Sequence, residues 1–288
     1  MDRLQVEICT YKRAGELAML LASLWHQTYK DWDLILVDGN REEPIINQHY
    51  INGTLTRFRA EGHGVRYVLE EVRKGISASR NTAVREAFPS EFHLRIDDDS
   101  MMDPEYIEKL MDIMTGKTKV YFKEQLVKPE EIGAVGGLVP LWSAPETIAN
   151  TELLKDWFEQ FQFTENGIIT SDLGGFSWYP RKILASQHIR SSYLFRKSAW
   201  EKVRGFSEEI GGTVSGFREE TDYCLKLAYA GYKIFVDTSA KAWHLRSPAG
   251  GLRGESSQQY IQAVNINEAL FQKKFMRLFK ERGNPFEK

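Results

Sequence analysis

The stretch Phe92-His93-Leu94-Arg95-Ile96-Asp97-Asp98-Asp99 alternates in period two and then stops on three carboxylates. That alternation predicts a β-strand with one face toward a core. Toward the N-terminus, strand-like and helix-like segments alternate. Val6-Glu7-Ile8-Cys9-Thr10 is short and β-prone, and in the segment from Ala14 to Gln27 the residues Leu17, Leu20, Leu21 and Leu24 fall at helical spacing. Leu34-Ile35-Leu36-Val37 is a continuous apolar run that ends at Asp38-Gly39-Asn40. Such a run fits a strand buried on both faces, as in a parallel sheet covered by helices. Val65 to Leu69 is another β-prone run, and Ser77 to Phe88 reads as a helix with Ala78, Ala83, Val84 and Ala87 as its apolar positions. On the C-terminal side of the acids, Pro104 suits the first turn of a helix that carries Tyr106, Ile107, Leu110, Met111 and Met114. This β-α-β-α-β order predicts an α/β protein with a mostly parallel sheet and right-handed crossovers. Ligands of open α/β sheets bind at the carboxyl ends of the strands. Three polar clusters fall at such ends: Thr10 to Arg13, Asp38 to Asn40, and Asp97 to Ser100.

The second half is less regular. Ile132 to Val139 reads as a glycine-containing strand, and Trp142, Trp157, Trp178 and Tyr179 are scattered through a loop-like segment. Order returns with Ser192 to Phe195, a helix-like Lys197 to Arg204 and a glycine-rich turn from Gly205 to Gly216. Glu219 to Tyr229 reads as a helix, Lys233 to Val236 as a strand, and Gly250, Gly251 and Gly254 mark a flexible loop before a terminal helix from Tyr260 to Glu281. Within that helix Phe271, Phe275, Leu278 and Phe279 share one face, with Lys273, Lys274, Arg277 and Lys280 on the others. Docking of this face on the protein's own surface is expected; the alternative is peripheral contact with a membrane through residues 270–280.

Composition narrows the function classes. The 288 residues carry 38 Lys+Arg against 40 Asp+Glu, a formal net charge of -2, which lacks the basic footprint of a general nucleic-acid binder. A hydrophobic share of 42% is too high for a disordered chain. The two cysteines, Cys9 and Cys224, form neither a disulfide framework nor a CxxC zinc pair. The N-terminal apolar stretch is interrupted by Asp2 and Glu7, and no window has 18 uninterrupted apolar residues, so a cytoplasmic protein is expected, with any membrane association peripheral at the cytoplasmic face.

Several clusters suit chemistry. Adjacent carboxylates repel unless a cation, arginines or solvent offsets them, and hard divalent cations take one or two carboxylates plus phosphates and water. Asp97-Asp98-Asp99 therefore reads either as a metal site or as an acidic turn. His244, just after a strand, is either structural or a second ligand; with Asp99 on one ion, the imidazole/oxygen shell would favour Mn²⁺ over Mg²⁺. Glu219-Glu220-Thr221-Asp222 opens a helix, where acids complement the dipole or supply a general base. Arg73, Lys74 and Arg80 flank a helix N-terminus suited to phosphate, and Arg13, Arg246 and Arg253 are further loop cations for a diphosphate.

Taken in order, these motifs resemble the metal-dependent, inverting glycosyltransferases of family 2, which have the GT-A (Rossmann-like) fold. Thr10-Tyr11-Lys12-Arg13 is similar to the family's opening Thr-Tyr-Asn-Arg-like signature, and Ser23-Leu24-Trp25-His26-Gln27-Thr28-Tyr29 to its helix end. Leu36-Val37-Asp38-Gly39-Asn40 matches Val-Asp-Asp-Gly-Ser with one acid fewer, and Gly75 to Asn81 matches Gly-x-x-x-Ala-Arg-Asn. Asp97-Asp98-Asp99 matches the Asp-x-Asp (DXD) motif, and Phe195-Arg196-Lys197 with Gly205-Phe206 resembles the stretch before the acceptor-site acids. Glu219-Glu220-Thr221-Asp222 stands where Glu-Asp-x-Asp is usual, and His244 matches a late histidine.

The resemblance implies a GT-A domain over residues 1–250, with a nucleotide-binding half (1–100) and an acceptor half (101–250), followed by a loop and helix over 251–288. It implies that Thr10, Tyr11, Arg13, Asp38, Arg80, Asp97 and Asp98 bind a nucleotide-diphosphate sugar, with UDP favoured. Asp97, Asp99 and His244 would hold Mn²⁺ or Mg²⁺. The catalytic base is implied at Glu220, where the family has aspartate, with Glu219 as the alternative. The acceptor would be a hydroxyl of a glycan, a lipid or a small molecule. A nucleotidyltransferase acting on a sugar phosphate and a non-catalytic nucleotide-sugar or glycan-binding module are the rival readings.

Overall fold

The computed structural model describes residues 3–143, 157–170, 177–180, 182–212, 214–252 and 257–287. The first half alternates as the apolar periodicity predicts: β1 (Leu4–Thr10), α1 (Ala14–Trp25), β2 (Trp32–Asp38), α2 (His49–Ala60), β3 (Val65–Leu69), α3 (Ile76–Glu86) and β4 (Phe92–Asp97). A short β5 (Ser100–Met102) leads to α4 (Tyr106–Met114), a hairpin of β6 (Val120–Phe122) and β7 (Gln125–Val127), and β8 (Ile132–Leu138). Then come a second hairpin, β9 (Phe161–Thr164) and β10 (Gly167–Thr170), and β11 (Ile183–Ser186), β12 (Tyr193–Arg196) and α5 (Lys197–Lys202). The chain closes with α6 (Glu219–Tyr229), β13 (Lys233–His244) and α7 (Ser257–Arg282).

One nine-stranded sheet runs in the order β11-β13-β8-β12-β4-β1-β2-β3, with β5 attached to β13. The expected parallel core is present: β1 pairs parallel with β2 and β4, β2 with β3, and β13 with β8. The second half adds antiparallel joints, because β12 runs opposite to both β4 and β8, and β11 opposite to β13. Leu34, Ile35, Leu36 and Val37 of β2 are all buried, as a strand covered on both faces must be. On α1, Leu17, Leu20, Leu21 and Leu24 form the stripe that packs on this sheet.

Several elements differ from expectation, among them the short strands β5 to β7 and β9 to β11, most of them in a segment that reads as irregular. Helix α2 was not anticipated, since its residues are mostly polar; its anchors are Ile51, Leu55 and Phe58, all fully buried on one face. Strand β13 continues past Val236 to His244. Its register shifts between Asp237 and Lys241, and its far end leaves β8 to pair antiparallel with β5, His244 opposite Ser100. That extension sets the position of the late histidine.

A second apolar cluster lies under α6 and α7, where Phe271 and Phe275 are fully buried and Phe279 stacks on Phe163 at 4.9 Å. The face expected to dock on the protein does so. Among the described residues, no helix is long and apolar enough to cross a bilayer.

Candidate active site

The C-terminal ends of β1 and β4 lie side by side, with Cys9 opposite Asp97. Around them opens a cavity of about 230 Å³, lined by Thr10, Tyr11 and Arg13 after β1, by Asp97, Asp98 and Asp99 after β4, by Arg80 of α3, by Glu219 and Glu220 of α6, and by His244. Helix α3 begins directly at this cavity because Gly75 takes φ +102° there; a Cβ on Gly75 would come within 2.9 Å of the Gly212 backbone.

The three consecutive aspartates have three different environments. Asp98 is buried, accepts a hydrogen bond from Thr10 Oγ1 at 2.9 Å and pairs with Arg13 Nη1 at 2.8 Å. Burial pushes its pKa up to about 6, aided by the charge of Asp99 and opposed by Arg13 and Thr10. Asp98 is thus a structural partner of Thr10 and Arg13, and the three positions form one buried unit at the cavity wall. Asp99 is also buried, but the hydrogen bond and charge of His244, together with Arg13, outweigh burial and hold its carboxyl below the ordinary value. His244 Nε2 lies 3.3 Å from Asp99 Oδ1, Arg13 Nη1 lies 3.2 Å from Asp99 Oδ2, and the Ser247 amide donates to that same oxygen at 3.1 Å. Asp97 is partly exposed and takes a hydrogen bond from Arg80 Nη2 at 2.7 Å.

The expected metal triad is therefore only partly assembled. Asp99 and His244 meet, whereas Asp97 is committed to Arg80, and among the described residues no group of three or more acids, histidines or cysteines is arranged to hold an ion. Asp99 and His244 still suit a two-ligand site of the kind completed by phosphate oxygens and water.

The two glutamates of α6 share a cation that the motif reading overlooked. Arg95, buried on β4, donates through Nη2 to Glu219 Oε1 at 2.5 Å and to Glu220 Oε1 at 2.8 Å, and through Nη1 to the Tyr193 hydroxyl at 2.9 Å. The Ser191 amide donates to Glu220 Oε1 at 2.8 Å. Glu219 is buried and also faces Arg80 at 3.3 Å. Burial pushes its pKa up to about 8; Glu220 and Asp97 add to the rise and Arg95 opposes it. Glu220 is the more open of the two, its side chain 25% exposed to the cavity. A signal for Arg95 was available: it stands between Leu94 and Ile96 in a core strand, and such a charge needs buried partners.

Asp38 stands apart from the other candidate donor residues. Its side chain is fully buried and is not among the cavity's walls. Oδ1 accepts from the Asn40 amide at 2.8 Å, and Oδ2 accepts from the Ile45 amide at 2.6 Å and the Tyr67 hydroxyl at 2.7 Å. Asp38-Gly39-Asn40 is turn chemistry, in which the carboxylate caps the backbone that follows. Where Asp38 was expected, the cavity instead presents Gly39 and a second overlooked residue, the acid Glu70, which follows β3. Arg253 and Gly254 lie outside the described residues, as does much of the segment between Trp142 and Tyr179 that was expected to shape acceptor choice.

A twisted α/β sheet with an acid-lined cleft at the ends of its parallel strands is the architecture of the GT-A transferases. The chain superposes on a mannosyltransferase from Pyrobaculum calidifontis solved with GDP-Man and Mn²⁺ (TM-score 0.57, 15% identity, 87% of this chain and 59% of that one). It superposes equally on TarS of S. aureus (TM-score 0.56, 13% identity, 85% of this chain and 37% of that one), a protein also solved with UDP-GlcNAc. The chain belongs to Glycosyl transferase family 2, whose family model matches residues 6–186. An uncharacterized glycosyltransferase of Haemophilus influenzae is 25% identical over 152 residues, and the bifunctional glycosyltransferase pgtA of Dictyostelium discoideum is 25% identical over 129. These matches cover 52% and 41% of this chain, but only 48% and 16% of the two relatives.

Proposed function

We propose that the protein transfers a sugar from a nucleotide-diphosphate donor, UDP being favoured, to a hydroxyl acceptor of a glycan, a lipid or a small molecule, with inversion at the anomeric carbon. The observation that carries this reading is Glu220: a carboxylate open to the cavity, oriented by Arg95 and the Ser191 amide, on the wall facing Asp97 to Asp99. Residues 1–100 would bind the donor and 101–250 the acceptor. Family membership and the nucleotide-sugar complexes of its structural relatives support the donor class.

Asp99 and His244 would hold Mn²⁺ or Mg²⁺, which when bound would stabilise negative charge on the diphosphate. The chain's own residues do the rest. Arg80 and Arg13 keep Asp97, Asp98 and Asp99 in place and offset their charge at the end of the donor cleft. Glu220 accepts the acceptor's hydroxyl proton as its oxygen attacks the anomeric carbon. A new C–O bond forms while the bond to the diphosphate oxygen breaks, and the nucleoside diphosphate leaves with the electron pair. Glu219, held between Arg95 and Arg80, keeps that base in place.

Glu220→Gln tests the assignment. It is expected to lower kcat by about 10²- to 10⁴-fold while donor affinity stays near wild type. A panel of nucleotide sugars with Mn²⁺, read as nucleoside diphosphate release and product anomer, checks the reaction. Pyrophosphate release, a retained anomer or an unaffected Glu220→Gln rate would each sink part of the reading.

A further inference from the structure

We infer that Glu159 is a positioning residue for the general base: by clamping His188 and Arg190 it fixes a strained turn at Ser191, whose amide holds one oxygen of Glu220 and leaves the other to take the proton. The inference rests on the reading of Glu220 above. Both hydrogen bonds to the Glu220 carboxylate, from Arg95 Nη2 and from the Ser191 amide, end on Oε1. Oε2 has no hydrogen-bond partner among the described residues, so the two donors fix the carboxylate's orientation and leave its second oxygen open.

Ser191 meets Oε1 where the chain turns sharply. Residues 187–192 join β11 to β12, and the Ser192 amide donates back to the Arg190 carbonyl at 2.5 Å across Ser191, whose φ is +44°. A three-residue turn with a positive central φ is rare and strained in a residue other than glycine. Such a conformation persists only where its surroundings hold it.

Glu159, buried just before β9, supplies that hold. Its Oε1 accepts from Arg190 Nε at 3.0 Å, its Oε2 from His188 Nδ1 at 2.5 Å, and its carbonyl from the Gln187 amide at 3.0 Å. Burial raises the Glu159 carboxyl, but His188 and Arg190 outweigh it and keep it below the ordinary value. The other imidazole nitrogen of His188, Nε2, lies 3.4 Å from the hydroxyl of Thr221, the residue after Glu220. The clamp therefore grips the residue before Ser191 and the residue after Glu220, the two segments that must stay in register for the amide to meet the carboxylate. The cavity beside Glu159, His188 and Arg190 is about 10 Å³, room for a water and not for a substrate, so these side chains hold structure and do not react.

Glu159→Gln keeps the side chain's shape and removes its charge. The test uses the full chain, Mn²⁺, the nucleotide sugar turned over in the panel above, and water as the acceptor. The variant is expected to lower kcat for nucleoside diphosphate release by about 10- to 100-fold, with the donor's KM within about twofold of wild type. A double-mutant cycle separates positioning from general structure. In a Glu220→Gln background the same substitution should cost less than about twofold, because groups that act as one unit are not additive. Arg190→Gln, at a side chain 32% exposed, breaks one arm of the clamp and should repeat the pattern with a smaller loss; it decides the matter if Glu159→Gln does not fold. An unchanged kcat, a loss confined to KM, or the same fold loss with and without the Glu220 carboxylate would overturn the assignment to Glu159 and leave the base reading standing. An unaffected Glu220→Gln rate would overturn both.

Discussion

Two guanidinium groups, Arg80 and Arg95, face three carboxylates, Asp97, Glu219 and Glu220, inside one cleft. Burial pushes the pKa of Glu219 up to about 8, with the charges of Glu220 and Asp97 adding to the rise and Arg95 opposing it. An acid whose pKa is higher folded than unfolded favours the native state when protonated. Its contribution is present below about 4.5 and is lost as pH rises toward about 8. Glu219→Gln should abolish that slope, which for one proton is at most about 1.4 kcal/mol per pH unit. Urea titrations of wild type and variant from pH 5 to about 8 check it; parallel curves would show that Glu219 is ionised throughout. Asp98, raised to about 6, slopes the same way, so the difference between the two proteins is the quantity to read.

Among the secondary-structure elements, β13 does most to assemble the site. Its first half is an inner strand beside β8, and its second half steps out at the register shift to reach β5 and carry His244 to Asp99. The step is possible because Gly137 of β8 has no side chain: a Cβ there would overlap the Ala240 carbonyl and press on the Tyr106 ring. Gly137→Ala is expected to cost about 1–3 kcal/mol in denaturant unfolding, as overpacking does, and to weaken Mn²⁺-dependent donor binding by displacing His244. Unchanged stability together with unchanged donor affinity would mean that the step tolerates a side chain. Nothing local to Lys233–His244 announces this bend. The strand's apolar start was readable, but its length depends on partners that lie far away in the chain.

Across the whole molecule, α7 closes the second core and braces α6. Phe271 and Phe275 fill that core, Arg218 pairs with Glu268 at 2.6 Å, and Lys274 pairs with the buried Asp222 at 2.6 Å. Phe275→Ala should therefore destabilise the fold by about 3–5 kcal/mol in urea unfolding. The intact protein should not sediment with anionic vesicles through residues 270–280, because the face that would insert is already packed.

The α/β class, the order of its first seven elements bar α2, the acids at the strand ends and the helix α6 that carries Glu219 and Glu220 were all legible in consecutive residues. Apolar periodicity and turn chemistry are local properties, expressed within a few residues of one another. Which polar groups meet was not legible. Arg95 lies 124 positions from Glu219, Asp38 has an ordinary motif yet faces the turn, and Asp97 pairs with Arg80 where a ligand was expected. Sheet order and register decide those partnerships. The free energy of a buried charge depends on its nearest opposite charge in space, and spacing along the chain carries no record of that distance.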